Sequence, residues 1–221
     1  MAPIVRRLVA PKRTTTTDQA YEAILAGILG GAIAPGEQLV LQDLADELGT
    51  SLQPVREAIR RLDATGIIEV VPHRGARVRP LTDEDFDDTY RARLGIEPIL
   101  VEYAAEQFTA EDAEIASAAL ARQQAAVERG DVAEASRAHE EFHFAVYRAA
   151  RSPWLFRSML PTWRNAERYR IGGLVDRAAV AQRLVEHQAI LDACIRHDAP
   201  AARAALRDHL ERTVRDHSGL A

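Results

Sequence analysis

The sequence predicts a mainly α-helical protein in two parts: a small N-terminal unit with a β-hairpin, and an all-helical bundle of six to seven helices. Three observations support this fold class. Apolar residues recur at helical spacing in short, closely spaced stretches before residue 66. The β-branched segment IIEVV follows them and is bounded by turn residues. From residue 81 onward the apolar residues keep the helical period, and no stretch alternates as a strand does.

The bulk composition is that of a globular protein that works in a reducing compartment. The chain has 221 residues and a single cysteine, Cys194, so no internal disulfide is possible. No signal pattern or long apolar run is apparent, and we expect a cytoplasmic location. Residues 1–80 hold 10 lysines and arginines against 9 acidic residues, whereas the whole chain has a net charge of −5. The acidic excess therefore lies entirely in the second part.

The elements of the N-terminal unit follow one another closely. Residues 1–16 mix basic residues, threonines and prolines without an apolar period, which predicts a mobile tail. A first helix begins at about Asp18 and ends at the proline-glycine turn of IAPGEQL. A second, short helix is capped by Gly49, and Ser51 can cap a third helix that stops at Gly66. Two short helices joined by a tight turn form a helix-turn-helix.

A hairpin after the third helix makes this unit a winged helix-turn-helix. IIEVV at 67–71 and ARV at 76–78 can pair across the turn PHRG. Arginines one turn apart on the third helix can reach phosphates or a guanine edge, and a glutamine near its start suits adenine. Alternatively, REAIRRLD is only a solvated arginine face with pairs such as Glu57 with Arg61. The candidate DNA-binding residues are Ser51, Gln53, Arg56 and Arg60 on the helix side and His73, Arg74 and Arg77 on the wing.

The string LADELGTSLQPVREAIRRLDATGIIEVVPHRGARV, preceded by ILGGAIAPGEQL, resembles the DNA-binding domain of the GntR family of bacterial transcription regulators. The resemblance spans residues 17–80 and rests mainly on the PG turn, PVREAIRRL and the wing. It departs from the family at Gln42 and Leu52, where arginines are often found. The resemblance therefore implies DNA binding, whereas the operator sequence stays open.

Residues 81–218 resemble the FadR-type effector domain called FCD, which follows this winged helix in one large GntR subfamily. RARLGIEPILVEYAA, FHFAVYRAARSPWL and EHQAILDACIRHDAPAARAALRDHL carry the likeness. Helix starts are predicted at LTDEDFDDTY, at FTAEDAE and at APAARAALRDHL, with further starts at Asp131, Ser152-Pro153 and Asp176.

The string HEEFH at 139–143 has the H-E-x-x-H spacing of zinc peptidases. On helical spacing both histidines face the core, and two further helices each turn a histidine inward. Burying several imidazoles without a shared partner would cost a few kcal/mol in unmet hydrogen bonds. A metal ion bound by all of them would offset this cost. The predicted metal ligands are His139, His143, His187 and His209.

The FCD resemblance implies the same divalent-metal site, since such domains hold a metal with Asp-x3-His on one helix and two later histidines. His139 stands where the family has the aspartate. An all-imidazole set suits zinc or nickel, and it remains open whether His139 coordinates. A zinc peptidase would need an open position on the metal for water, with Glu140 as general base. A fourth protein ligand would leave no open position on a tetrahedral ion.

The resemblance also implies a small carboxylate as effector, with Arg93 at the family's position for an inward arginine. The alternative for Arg93 is an ion pair with Glu97, one turn on. Arg168 is a second candidate effector-binding residue. We therefore expect a metabolite-responsive homodimeric regulator, most simply a repressor, on a palindromic operator. The alternatives are a metal-dependent hydrolase that uses HEEFH and a metabolite- or metal-binding protein that does not bind DNA.

Overall fold

The computed structural model describes residues 14–71, 75–170 and 177–218. The chain divides into two compact units between Arg79 and Pro80. The described part of the first unit consists of helices α1 (Thr16–Leu29), α2 (Leu41–Glu47) and α3 (Leu52–Ala64) and strands β1 (Gln38–Leu39), β2 (Ile68–Val71) and β3 (Gly75–Val78).

The predicted hairpin is present, with one strand more than the sequence indicates. Strands β2 and β3 pair antiparallel, and β1 pairs with the other edge of β3, so the sheet order is β1-β3-β2. Strand β1 has only two residues, Gln38 and Leu39, and becomes a strand through its pairing with Arg77 and Ala76. So short a segment has no alternation that could be recognised in the sequence.

The helix boundaries of this unit follow from local capping. Helix α1 begins at Thr16, before the expected Asp18, because Thr15 and Asp18 form a reciprocal capping box. Gly49 follows α2 with φ +61, a left-handed conformation that favours glycine, as the sequence predicts. Ser51 occupies the cap position of α3 in extended conformation, but its side chain makes no cap hydrogen bond. Ser51 is therefore the N-cap residue that the sequence predicts, but without the side-chain hydrogen bond of a cap.

Six helices form the described part of the second unit. Their buried faces share one apolar core, with Trp163, Tyr147, Phe142 and Leu206 among its largest members. The one cysteine, Cys194, is also buried there. Among the described helices, none combines the length and the apolar content needed to cross a bilayer. The helices are α4 (Asp83–Glu106), α5 (Ala110–Arg129), α6 (Val132–Ala149), α7 (Pro153–Arg170), α8 (Arg177–Ile195) and α9 (Ala199–Ser218).

The predicted helix starts in this unit coincide with side-chain caps. Thr82, Thr109 and Asp131 each accept a hydrogen bond from the third backbone N–H of the helix that follows. Pro153 is the first residue of α7, where a missing N–H costs nothing. The predicted cap Asp176 lies outside the described residues.

Asp112 connects the N-terminal cap of α5 to Arg151, which lies between α6 and α7. Its carboxylate accepts from the Thr109 N–H at 3.0 Å and from Arg151 Nη2 at 2.7 Å. Burial raises the pKa of Asp112, but the hydrogen bonds from Arg151 and Thr109 outweigh it and lower the pKa below 3.8. A depressed folded-state pKa stabilises the protein above the unfolded pKa, and this stability is lost as the pH falls through the folded pKa.

We expect Asp112→Ala to lower the free energy of unfolding by about 2 kcal/mol at pH 7, because a cap and a partly buried ion pair are lost together. Urea unfolding at pH 7 and pH 3 measures this, and the difference from wild type should shrink at pH 3. Glu111→Ala, at the exposed neighbouring position, is the control. An equal loss in both variants would contradict this role of Asp112.

Candidate functional site

Four buried histidines from three helices meet inside the second unit. Helix α6 contributes His139 and His143 one turn apart, α8 contributes His187 and α9 contributes His209. One ring nitrogen from each lies within 4.8 Å of the others. The structure therefore brings together all four residues that the sequence proposes as metal ligands.

Burial favours the neutral form of three of these rings. Burial lowers the pKa of His139, His143 and His187 well below the ordinary value, and neighbouring positive groups lower it further. A neutral imidazole has one nitrogen lone pair, which is the form that binds a metal. His143 Nε2 and His187 Nε2 are 3.1 Å apart. Two nitrogens about 2.1 Å from one ion lie roughly 3.0–3.4 Å apart, so this spacing suits shared coordination.

Two ring nitrogens of the cluster test whether a metal fits. The Nδ1 atoms of His139 and His187 are buried and have no hydrogen-bond partner within the described parts of the chain. Buried polar atoms are normally paired, so such orphans call for an explanation. Four buried imidazoles, two of which have an unpaired nitrogen, form a donor set that fits a divalent transition metal.

A second layer of polar side chains surrounds two of the histidines. His209 Nδ1 lies 2.8 Å from Glu186 Oε2, and Arg212 Nε holds the other Glu186 oxygen at 2.6 Å. His143 Nδ1 lies 3.3 Å from the Tyr147 hydroxyl. Metal-binding histidines usually make such contacts through the nitrogen that does not face the ion.

Arg93, a predicted effector-binding residue, is buried and paired with Glu97. Its Nε and Nη2 donate to the two Glu97 oxygens at 2.6 and 3.0 Å, and Tyr147 donates to Glu97 Oε2 at 2.7 Å. The ion pair that the sequence offers as the alternative for Arg93 is thus present. Burial disfavours the charged guanidinium, but Glu97 outweighs it and raises the pKa of Arg93.

Helix α7 places further charged side chains near the histidines. Arg168 is buried and donates to Asn165 Oδ1 at 2.7 Å. Arg170 Nε donates to Glu167 Oε1 at 2.7 Å, and the same Glu167 oxygen lies 3.8 Å from His139 Nδ1. The surroundings of the cluster thus combine buried arginines with buried carboxylates.

The DNA-binding candidates on α3 share one exposed row. Gln53, Arg56 and Arg60 are exposed, while Val55 and Ile59 between them are buried. The Arg60 side chain is 77% exposed, and its Nη1 forms an ion pair with Glu57 Oε2 at 3.5 Å. Arg61 is different, because it bonds Asp18 at 2.8 Å and lies over the Tyr21 ring. The row therefore leaves two arginines and a glutamine directed to solvent.

The remaining DNA-binding candidates are less uniform. Ser51 is exposed at the start of α3. Arg77 on β3 forms an ion pair with Glu69, its direct cross-strand neighbour. His73 and Arg74 lie outside the described residues.

Two residues around the histidines are not predicted as parts of the site: Glu186, and Glu97 other than as a partner of Arg93. The sequence leaves open whether Tyr147 faces the site; it lies one helical turn from His143, and this spacing brings the two side chains together. Glu186 bonds His209 of another helix, a pairing that only the three-dimensional structure shows.

Comparison with known proteins gives a consistent result for both units. The family profile for "Bacterial regulatory proteins, gntR family" matches residues 16–78, and that for "FCD domain" matches residues 88–212. The chain is 31% identical over 202 residues to the "Probable D-xylose utilization operon transcriptional repressor" of Paenarthrobacter nicotinovorans. That match covers 90% of this chain and 87% of the relative.

A second relative is the HTH-type transcriptional regulator McbR of Escherichia coli, 31% identical over 133 residues. The match covers 60% of this chain and 60% of McbR. The solved structure titled "E. coli McbR/YncC" superposes with a TM-score of 0.81 at 24% identity, covering 91% of this chain and 96% of the other. At this identity the superposition shows a shared fold.

These relatives are transcription regulators and not enzymes, which confirms the prediction of a regulator over the alternative of a metal-dependent hydrolase. The chain belongs to the GntR family of bacterial regulatory proteins and combines the family's winged helix-turn-helix with an FCD domain.

Proposed function

We propose that this protein is a metabolite-responsive repressor that binds a palindromic DNA operator as a homodimer. The observation that carries DNA recognition is the exposed row of Gln53, Arg56 and Arg60 on α3. Solvated arginines one turn apart can contact phosphates or guanine in a major groove. A symmetric dimer places two such helices on two half-sites. A regulator of this kind acts on chromosomal DNA in the cytoplasm.

The FCD domain is proposed to bind a divalent transition metal, zinc or nickel, through His139, His143, His187 and His209. The convergence of four buried imidazoles and the unpaired Nδ1 atoms of His139 and His187 support this assignment. A bound ion with more than four coordination positions would offer the remaining ones to oxygen donors of a small carboxylate. The metal and effector thus share one site in this proposal.

Arg93 and Arg168 are the proposed effector-binding residues, and their partners differ. A carboxylate that reaches Arg93 must compete with Glu97, which already occupies both donors in a bidentate pair. Arg168 donates to the Asn165 amide oxygen at 2.7 Å, and a charged guanidinium forms a stronger hydrogen bond with a carboxylate than with an amide oxygen.

Effector binding changes DNA affinity only through its different affinity for two arrangements of the protein. We expect the arrangement favoured by the effector to bind the operator more weakly, which gives repression relieved by the metabolite. The effector and the operator therefore change each other's affinity by the same factor.

Native mass spectrometry of the full chain, purified without a nickel column or chelator, tests the proposal. We expect a dimer with about one transition metal per chain, because four imidazoles from one chain converge. Extra mass from a co-purified organic acid would identify the effector. A species that stays metal-free after zinc and nickel are offered would contradict the metal centre, and a monomer at all concentrations would contradict the dimeric operator complex.

A further inference from the structure

The hydroxyl of Tyr147 has one proton to donate, and its hydrogen-bond acceptor is Glu97. The oxygen lies 2.7 Å from Glu97 Oε2, and Arg93 donates to both Glu97 oxygens. These oxygens accept, so Tyr147 donates its proton to Glu97.

The proton of His143 is fixed as a consequence. His143 Nδ1 lies 3.3 Å from the Tyr147 oxygen, whose own proton already points to Glu97. That oxygen can then only accept, so Nδ1 is the protonated nitrogen of the neutral ring. The lone pair of His143 is left on Nε2, the atom that lies 3.1 Å from His187 Nε2 inside the cluster.

The tautomer of His209 is fixed in the same way, by Glu186. Its Nδ1 lies 2.8 Å from Glu186 Oε2, and Arg212 holds the opposite oxygen of the same carboxylate. Because a carboxylate accepts, His209 Nδ1 carries the proton and Nε2 carries the lone pair.

The other two histidines lack such a partner. Within the described ranges, Nδ1 of His139 and Nδ1 of His187 make no hydrogen bond although both atoms are buried. His139 Nδ1 is 3.8 Å from Glu167, too far for a hydrogen bond. In the metal-free protein, His187 Nε2 can donate a hydrogen bond to the lone pair of His143 Nε2. That proton must leave His187 Nε2 before both Nε2 atoms can bind one metal ion.

We propose that Tyr147 and Glu186 are positioning residues that hold His143 and His209 in the tautomer whose Nε2 lone pair faces the cluster. This inference rests on the proposed metal centre. The tautomers of His143 and His209 are then fixed before the metal binds. The tautomers of His139 and His187 are not fixed and can change when it binds. The Arg93–Glu97 pair acts through Tyr147, so in this proposal its role is to keep the hydroxyl proton turned away from His143.

The tautomers are measured by long-range ¹H–¹⁵N spectra of the metal-free, ¹⁵N-labelled full chain, since protonated and bare ring nitrogens have separate shifts. We expect a protonated Nδ1 and a bare Nε2 for His143 and His209. Tyr147→Phe removes the acceptor, so His143 should populate both tautomers, and nickel affinity should fall on the order of 10- to 100-fold. Glu186→Gln should do the same at His209, because an amide can present a donor in place of an oxygen.

Tyr169→Phe is the matched control. It removes a hydroxyl that also donates to a carboxylate, Asp85 Oδ2 at 2.6 Å, in the same unit and away from the four histidines. We expect this variant to have the His143 chemical shifts and the nickel affinity of the wild type.

Two results would overturn the inference: a protonated Nε2 on His143 or His209 in the metal-free wild type, or Tyr147→Phe and Glu186→Gln variants with wild-type tautomers and nickel affinity. Failure of the wild type to bind zinc or nickel would instead remove the metal centre itself. The tautomer spectra of the metal-free protein separate these two cases, because they are recorded without any ion.

Discussion

Replacing Arg56 and Arg60 together by alanine is expected to lower the affinity for operator DNA roughly 100-fold or more at physiological salt. Each arginine that contacts a base or phosphate contributes about 1–3 kcal/mol, and about 1.4 kcal/mol corresponds to a factor of ten. Both side chains are exposed and their buried neighbours carry the packing of α3, so the fold should persist. Fluorescence anisotropy with a duplex selected from a random pool measures the loss.

Salt dependence and a third arginine make this test specific. If both residues contact phosphates, the slope of log affinity against log salt should fall by about two units. Arg61→Ala removes the same charge from the same helix, but Arg61 is bound to Asp18 and Tyr21. We expect it to lower the melting temperature while nearly preserving DNA affinity. Equal losses in Arg61→Ala and the double variant would show that only the total charge matters.

His187→Ala is expected to abolish stabilisation of the protein by zinc or nickel. A metal present at about 100 times its dissociation constant stabilises the folded state by about 2.7 kcal/mol. For a domain of this size this corresponds to a rise in melting temperature of roughly 5–10 °C, reversed by a chelator. His187 is fully buried at the centre of the cluster, 3.1 Å from His143, so its loss removes a ligand that no neighbour can replace.

The control for this measurement is His217→Ala. His217 stacks on Phe86 and contacts Asp83, away from the four clustered histidines. Its removal can lower the melting temperature of the metal-free protein, but the metal-dependent rise should stay as in wild type. A metal-dependent rise that survives in His187→Ala would show that the ion binds elsewhere.

Much of the fold could be predicted because periodicity and capping residues act locally. Thr109 and Asp131 start their helices as the sequence indicates, and the hairpin forms where β-branched residues are clustered. Strand β1 escaped prediction because it depends on pairing with a distant strand. Ser51 occupies its predicted cap position, but the sequence does not show that its side chain makes no cap hydrogen bond.

The histidine cluster was predictable for the same reason, because each ring lies on the apolar stripe of its helix. Its surroundings were less so. The sequence left Arg93 open between an effector and Glu97, and only the structure shows the pair together with Tyr147. The contact of Glu186 with His209 joins two helices whose relative rotation is not encoded in spacing.

The burial of Cys194 bears on which signals the protein can respond to. Burial raises the pKa of this thiol to about 12, which disfavours at neutral pH the thiolate that oxidants attack. The proposed ligands are all imidazoles, and the chain has no second cysteine for an internal disulfide. We therefore expect mild peroxide treatment to leave the proposed metal site unchanged.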